Sequence, residues 1–122
     1  MVSLCLLKIG ESAQETNFNV QDEEDFQERV LQSDVPVIVD FYADWCGPCR
    51  MLGPRLESMV DAKGGELLLA KINVDKLAEL ALDYGVESVP TVIGFKDGAV
   101  VDQFVGDADD AVISAFMAKL NE

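Results

Sequence analysis

Two nearly continuous apolar runs constrain the fold more than any other feature of the sequence. Residues 36–43 read PVIVDFYA and residues 66–75 read ELLLAKINVD, a pattern typical of strands that are buried on both faces. Residues 49–63, which lie between the runs, are predicted to form a helix with Pro54 in its interior. A strand–helix–strand unit places its two strands side by side and parallel. The runs therefore predict the centre of an α/β sheet.

Two further helices are predicted from their end signals. Residues 22–33 have Asp22 in the capping position and an acidic first turn, which suits the positive end of the helix dipole. Residues 75–85 form a shorter candidate helix, with Asp75 as the expected cap and Gly85 as the stop signal.

The remaining segments complete a mixed sheet. Residues 16–20 alternate like an edge strand, and residues 90–106 read as two antiparallel strands joined by the hairpin signal Asp97-Gly98. Residues 107–122 predict a closing amphipathic helix. Its expected core positions are Val112, Ile113, Phe116 and Leu120. The predicted fold class is α/β, with a central mixed sheet of about five strands flanked by four helices on both faces.

The excess of acidic over basic residues argues against some classes of binding partner. The 122 residues include 23 acidic and 9 basic side chains and no histidine, giving a formal net charge of -14. Such a chain repels phosphate backbones and anionic lipid surfaces, which argues against binding to nucleic acid or membranes. The length fits one domain, and we expect a monomer.

The first residues are predicted to be a loosely ordered N-terminal tail, residues 1–14, preceding the domain at residues 15–122. The apolar start is followed, not preceded, by a lysine and has no evident cleavage site, which makes a poor secretory signal. It also lacks the arginines of a transit peptide. No apolar run approaches the roughly 20 residues of a membrane-spanning helix. We interpret Cys5, within this tail, as an incidental thiol.

Cys46 and Cys49 form the chain's one Cys-X-X-Cys pair. A structural zinc site needs about four thiolate or imidazole ligands, which a single chain without histidine cannot supply from this pair. An iron–sulfur cluster shared across a dimer stays an open alternative. A static staple is a weak one, because closing so short a loop removes little chain entropy.

A redox function fits the position of the pair, directly after a buried strand and at the start of a helix. The unpaired N–H groups and the dipole at the helix N-terminus would favour a thiolate on Cys46. Cys49 falls one turn later, within reach of a disulfide on Cys46. Pro48 has its φ preset for a first helical turn, and Gly47 allows another backbone to approach closely.

The segment VDFYADWCGPCRMLGP (residues 39–54) resembles the active-site segment of the thioredoxin family. Three further matches stand at the family's spacing: VPT at 89–91, KDG at 96–98 and FVG at 104–106. The resemblance covers roughly residues 16–121 and implies the thioredoxin fold. MLGPRLESMV and VVDQFVG are most similar to the mitochondrial thioredoxins of animals.

The resemblance implies four catalytic residues. Cys46 corresponds to the attacking nucleophile, with the exposed sulfur, and Cys49 to the buried resolving thiol. Asp40 corresponds to the buried acid that accepts the proton of Cys49, and burial would raise its pKa. Lys71 corresponds to the lysine that tempers the pKa of this acid. The alternatives are that Asp40 merely hydrogen-bonds nearby backbone and that Lys71 extends to the strand end.

The resemblance also implies a surface that binds the substrate. Its residues are Trp45, Gly47, Pro48, Val89, Pro90, Thr91 and Gly106. Trp45 would provide a flat contact, Pro90 would follow a cis peptide bond, and the backbone of Val89 would pair with an extended substrate segment. Gly106 would leave room for a docked partner, or serve only a turn. Asp44 adds a negative charge that biases the choice of partner.

The implied function is a thiol–disulfide oxidoreductase that reduces protein disulfides. No metal or cofactor would be bound; a flavoprotein thioredoxin reductase would recycle the pair with NADPH. The other partners would be disulfide-containing proteins and peroxiredoxins. The resemblance places the protein in the mitochondrial matrix, with the cytoplasm as the alternative. One rival is an oxidase or isomerase, although isomerases commonly have histidine before the second cysteine. The other is a binding module without redox turnover.

Overall fold

Strands and helices alternate in the predicted order along residues 15–122, the part of the chain that the computed structural model describes. The elements are β1 (Asn17–Asn19), α1 (Glu23–Phe26, continued by a π-helical turn at Gln27–Leu31), β2 (Val37–Tyr42), α2 (Gly47–Asp61), β3 (Leu68–Asn73), α3 (Ala78–Asp83), β4 (Thr91–Lys96), β5 (Ala99–Val105) and α4 (Asp110–Leu120).

The five strands form one mixed sheet in the order β1-β3-β2-β4-β5. The two apolar runs are the neighbouring strands β2 and β3, and they pair in parallel as predicted. Strand β1 adds a parallel edge beside β3, whereas β4 runs antiparallel to both β2 and β5. The β2 strand is therefore central, which explains why its sequence is apolar on both faces.

Each face of the sheet buries its own apolar cluster. On the face covered by α1 and α3, Val39 and Phe41 of β2 are two of the twelve buried residues of one apolar cluster. On the face covered by α2 and α4, Ile38 packs against buried side chains of both helices. The alternation arises because successive side chains of a strand point to opposite faces. We call these the α1/α3 face and the α2/α4 face.

Most of the predicted local signals are confirmed. The Asp22 carboxylate accepts a hydrogen bond from the Asp25 N–H at 2.8 Å, as a helix cap should. Gly85 has φ +68° directly after α3. Asp97 and Gly98 have φ +54° and +79° in the β4–β5 hairpin, the left-handed pair that a tight hairpin turn requires.

Two predictions are wrong. Asp75 does not cap α3, because the helix begins at Ala78 and its capping position, Leu77, has no side-chain bond. Val112 is 48% exposed, whereas Met117 is buried on the inner side of α4. The buried face of α4 therefore includes Met117 and not Val112, contrary to the prediction from the sequence.

The predicted tail at residues 1–14 and Cys5 lie outside the described residues. Within residues 15–122, no helix has the length and apolar character needed to cross a membrane.

Candidate active site

The cysteine pair lies at the start of α2. Cys46 is the capping residue, with extended backbone, and its Sγ accepts a hydrogen bond from the Cys49 N–H at 3.1 Å. Pro48 occupies the first turn, as predicted. The two cysteines are joined by a disulfide, with their Cα atoms 5.3 Å apart. The N-terminal N–H groups of the helix therefore point at the sulfur on which negative charge would develop.

Burial does not distinguish the two cysteines in the expected way. We expected the sulfur of Cys46 to be the exposed one, but in this disulfide form Cys46 is only 3% exposed and Cys49 is 7% exposed. The Sγ of Cys46 lies 3.7 Å from the carbonyl oxygen of Val89. The loop before β4 thus covers part of the pair.

That loop contains a cis peptide bond between Val89 and Pro90, as the resemblance implied. The Pro90 carbonyl accepts a hydrogen bond from the Gly106 N–H at 2.8 Å, and the Thr91 hydroxyl donates to the Ser88 carbonyl at 2.7 Å. Within residues 15–122, the N–H of Val89 has no partner. The Val89 backbone therefore keeps an unused donor of the kind that pairs with an extended peptide.

An exposed aromatic ring and two glycines with open space beside them lie near the pair. Trp45 is 68% exposed, and its indole N–H donates to the Asp75 carboxylate at 2.9 Å, which holds the ring in place. A Cβ atom added at Gly47 or Gly106 would meet no atom within 4 Å. Gly106 has φ +88°, so its conformation favours glycine as well as leaving space.

A buried carboxylate lies in β2, on the α2/α4 face. Asp40 is 1% exposed, and its Oδ1 has no hydrogen-bond partner within the described residues. Burial raises the pKa of Asp40 to about 6, an effect that Lys71 opposes and Glu57 reinforces. A carboxyl group with this pKa can take up and release a proton near neutral pH.

Lys71 is the neighbour of Asp40 across the β2–β3 pair, but its ammonium group binds elsewhere. Its Nζ donates to the Glu57 carboxylate at 2.8 Å and lies 5.3 Å from the centre of the Tyr42 ring. Both Lys71 and Glu57 line a cavity of about 310 Å³ that also reaches Cys49. The cavity connects the ion pair with the second cysteine.

Comparison with known proteins identifies the group to which this architecture belongs. The family model described as Thioredoxin matches residues 17–119, which includes every element of the sheet. The chain belongs to the thioredoxin family. The solved structure of a mutant thioredoxin from Halobacterium salinarum is 37% identical, with a TM-score of 0.78, over 90% of this chain and 94% of that one.

Relatives from animals and bacteria share this family. "Thioredoxin, mitochondrial" of Mus musculus is 53% identical over 105 residues, which is 86% of this chain and 63% of that protein. The match therefore spans less than two thirds of the length of this mitochondrial relative. "Thioredoxin" of Chlorobaculum thiosulfatiphilum is 49% identical over 84 residues, which is 69% of this chain and 78% of that protein.

Two residues that contact the predicted site, Glu57 and Asp75, were not predicted to do so from the sequence. Glu57 binds Lys71, and its only sequence signal is its place on α2, eight residues after Cys49 and therefore near the same face. Asp75 was interpreted as a helix cap but binds Trp45 instead. The thioredoxin resemblance implied roles for Lys71 and Trp45, the partners of these two residues, but none for Glu57 or Asp75.

Within the part of the chain that the structure describes, the cysteine pair does not belong to a larger cluster of metal ligands. Among residues 15–122, no three His, Cys, Asp or Glu side chains are grouped so that they could hold a metal ion.

Proposed function

We propose that this chain is a thiol–disulfide oxidoreductase that reduces disulfides in other proteins. The observation that carries the proposal is the disulfide at the start of α2, with Cys46 in the capping position and the Val89–Pro90 loop beside it. Membership of the thioredoxin family supports the same activity.

In the proposed cycle, the thiolate of reduced Cys46 attacks a substrate disulfide. A bond forms between Cys46 and one substrate sulfur, and the substrate disulfide breaks, releasing a thiolate that takes up a proton. Cys49 then loses its proton and attacks Cys46, which forms the 46–49 disulfide and releases the second substrate thiolate. Two electrons pass from the dithiol to the substrate.

Asp40 is the proposed acceptor of the proton from Cys49. Its burial on the α2/α4 face and its pKa of about 6 support this role. Lys71 is assigned the role of limiting the rise in that pKa. The structure gives no direct contact between Asp40 and Cys49, so a bridging water is the proposed route.

The proposed docking surface consists of groups around the disulfide, of which Trp45, Gly47 and Pro48 are exposed, whereas the side chains of Pro90 and Thr91 are buried. The groups of this surface are Trp45, Gly47, Pro48, Val89, Pro90, Thr91 and Gly106. The unpartnered N–H of Val89 is assigned to an extended segment of the substrate, and the flat ring of Trp45 to apolar contact beside it. Gly106 is assigned the role of leaving space for the docked chain.

Electrons would return to the pair from NADPH through a flavoprotein thioredoxin reductase. This chain has no recognisable nucleotide-binding motif, so the nucleotide is assigned to the reductase. Peroxiredoxins and other disulfide-containing proteins are proposed as recipients, and the active form as a monomer. The mitochondrial names of the similar animal proteins support a location in the mitochondrial matrix.

A trapping experiment tests the proposed cycle. Replacement of Cys49 by serine removes the resolving thiol, so the mixed disulfide on Cys46 should persist. In a Cys5→Ser background, incubation with an oxidised protein substrate should give a covalent adduct visible by intact mass and released by dithiothreitol. Turnover of the same substrate should fall by at least about 1,000-fold, the scale of losing a covalent-catalysis residue.

The matched control is Cys46→Ser in the same background. It should form little adduct, because the remaining Cys49 is not the attacking thiol. Equal adduct formation by both variants would refute the assigned order of attack. A parent protein that does not reduce the substrate would refute the function.

A further inference from the structure

Asp40 and Lys71 occupy paired positions in neighbouring strands, but they do not neutralise each other. Their Cα atoms are direct partners in the β2–β3 register, so both side chains lie on the α2/α4 face. An ammonium group next to a buried carboxylate would normally bind it, because an unpaired buried charge is costly. Here the Asp40 Oδ1 has no partner among the described residues.

The Lys71 ammonium group binds Glu57 and not Asp40. Glu57 extends from α2 to this ammonium group, with an Nζ–Oε2 distance of 2.8 Å. Both side chains of this ion pair are partly exposed, at 24% for Lys71 and 36% for Glu57. The lysine therefore keeps contact with water and with a carboxylate that is more exposed to solvent than the buried Asp40.

We propose that Glu57 is a positioning residue: it holds the Lys71 ammonium group away from Asp40 and so leaves Asp40 able to take up a proton. The proposed role rests on the oxidoreductase function, because it concerns the group assigned to deprotonate Cys49. Glu57 also lines the cavity that reaches Cys49, so the ion pair borders the space through which water can enter.

The other neighbours of Asp40 contribute little charge. Across β4 its partner is the apolar Val92, and the buried side of α4 presents only apolar side chains. Helix α2 contributes Glu57 and the cysteine pair, which does not titrate while it forms a disulfide. The phenol of Tyr42 lies beside Lys71 on the same face. The charged groups acting on Asp40 are therefore Lys71, which lowers its pKa, and Glu57, which raises it.

An NMR titration of the Asp40 carboxyl carbon tests the proposal in the disulfide form. Glu57→Gln keeps the shape of the side chain but removes its charge, so Lys71 should turn towards Asp40. The midpoint of the Asp40 titration should then move to lower pH by at least about 0.5. Glu79→Gln, on the exposed side of α3, is the control with the same change in net charge and should leave the midpoint unmoved.

A second background separates positioning from direct repulsion. With Lys71→Met, no ammonium group is left to position, so the further change Glu57→Gln should move the midpoint by less than half as much. No shift in the single variant would overturn the proposal. An equally large shift in the Lys71→Met background would also overturn it, because Glu57 would then act on Asp40 by its own charge.

The titration does not depend on turnover, which keeps the two proposals separate. If the midpoint shifts as expected but the parent protein reduces no protein disulfide, the positioning role stands and the proposed function fails. If the parent is active, the acidic limb of its pH–rate profile should move in Glu57→Gln in the same direction as the Asp40 midpoint. An active parent with an unmoved midpoint refutes only the positioning role.

Discussion

The two faces of the sheet use the same strands for different purposes. On the α1/α3 face, Val39 and Phe41 join an apolar cluster in which the rings of Phe26, Tyr84 and Phe95 lie 5.3–5.8 Å apart. On the α2/α4 face, Ile38 joins a second apolar cluster, but the same strand also places the buried Asp40 carboxyl on this face. Val39 and Asp40 are adjacent in one strand, but Val39 belongs to an apolar core and Asp40 is a buried group that can ionise.

The two faces differ in how burial affects the free energy of unfolding. Burial of the aliphatic and phenylalanine side chains on the α1/α3 face contributes stability that does not depend on pH, because none of these side chains gains or loses a proton. Burial of the Asp40 carboxyl is unfavourable once the group ionises. The proposed function gives this carboxyl a role, as the acceptor of the proton from Cys49.

The largest expected effect on stability is that of Phe41→Ala, which removes a fully buried ring from the α1/α3 face. The free energy of unfolding should fall by about 3–5 kcal/mol, measured by urea denaturation of the disulfide form. The control Val100→Ala, at an exposed site on β5, should change it by about 0.5 kcal/mol or less. Equal losses in the two variants would contradict the assigned role of this face.

The next effect is that of Asp40→Asn, and it should depend on pH. The unfolded carboxyl ionises near its ordinary pKa of 3.8, whereas the folded protein holds the proton until about pH 6. The unfolded state therefore gains stability as the pH rises between these values. The parent protein should lose roughly 3 kcal/mol relative to Asp40→Asn between pH 3.5 and pH 8.

This difference is best measured as the gap between the two unfolding free energies at each pH, because other carboxylates titrate equally in both proteins. The gap should widen as the pH rises through 4–6 and level off above about pH 7. A constant gap would mean that Asp40 has an ordinary pKa. The two faces would then not differ in the way that the structure indicates.

The smallest of the three destabilising effects should come from Gly94→Ala, where β4 meets α4 on the α2/α4 face. A Cβ atom there would lie 2.6 Å from a methyl carbon of Leu120 and 3.1 Å from the ring of Phe116. Displacing these side chains should cost about 1–3 kcal/mol in thermal or urea unfolding. Gly53→Ala in α2 would meet no such atom and should instead stabilise by about 0.5–1 kcal/mol.

Sequence patterns correctly predicted the features that depend on residues adjacent in the chain, such as turns and helix ends. The turn at Asp97-Gly98 and the stop at Gly85 follow from backbone conformations that few residues adopt. The pairing of β2 with β3 follows from their apolar runs. The predictions failed at Asp75 and Val112, where a partner distant in sequence or the exact angle of a helix decides the contact.

The sequence by itself determined the order of strands and helices, the position of the cysteine pair at a helix start, and the family. Only the tertiary structure decided that Lys71 binds Glu57 while Asp40 Oδ1 stays unpartnered. The first set depends on periodicity and on local φ preferences, which are written in adjacent residues. The second depends on competition between two carboxylates for one ammonium group, and folding sets their relative distances and exposure to water.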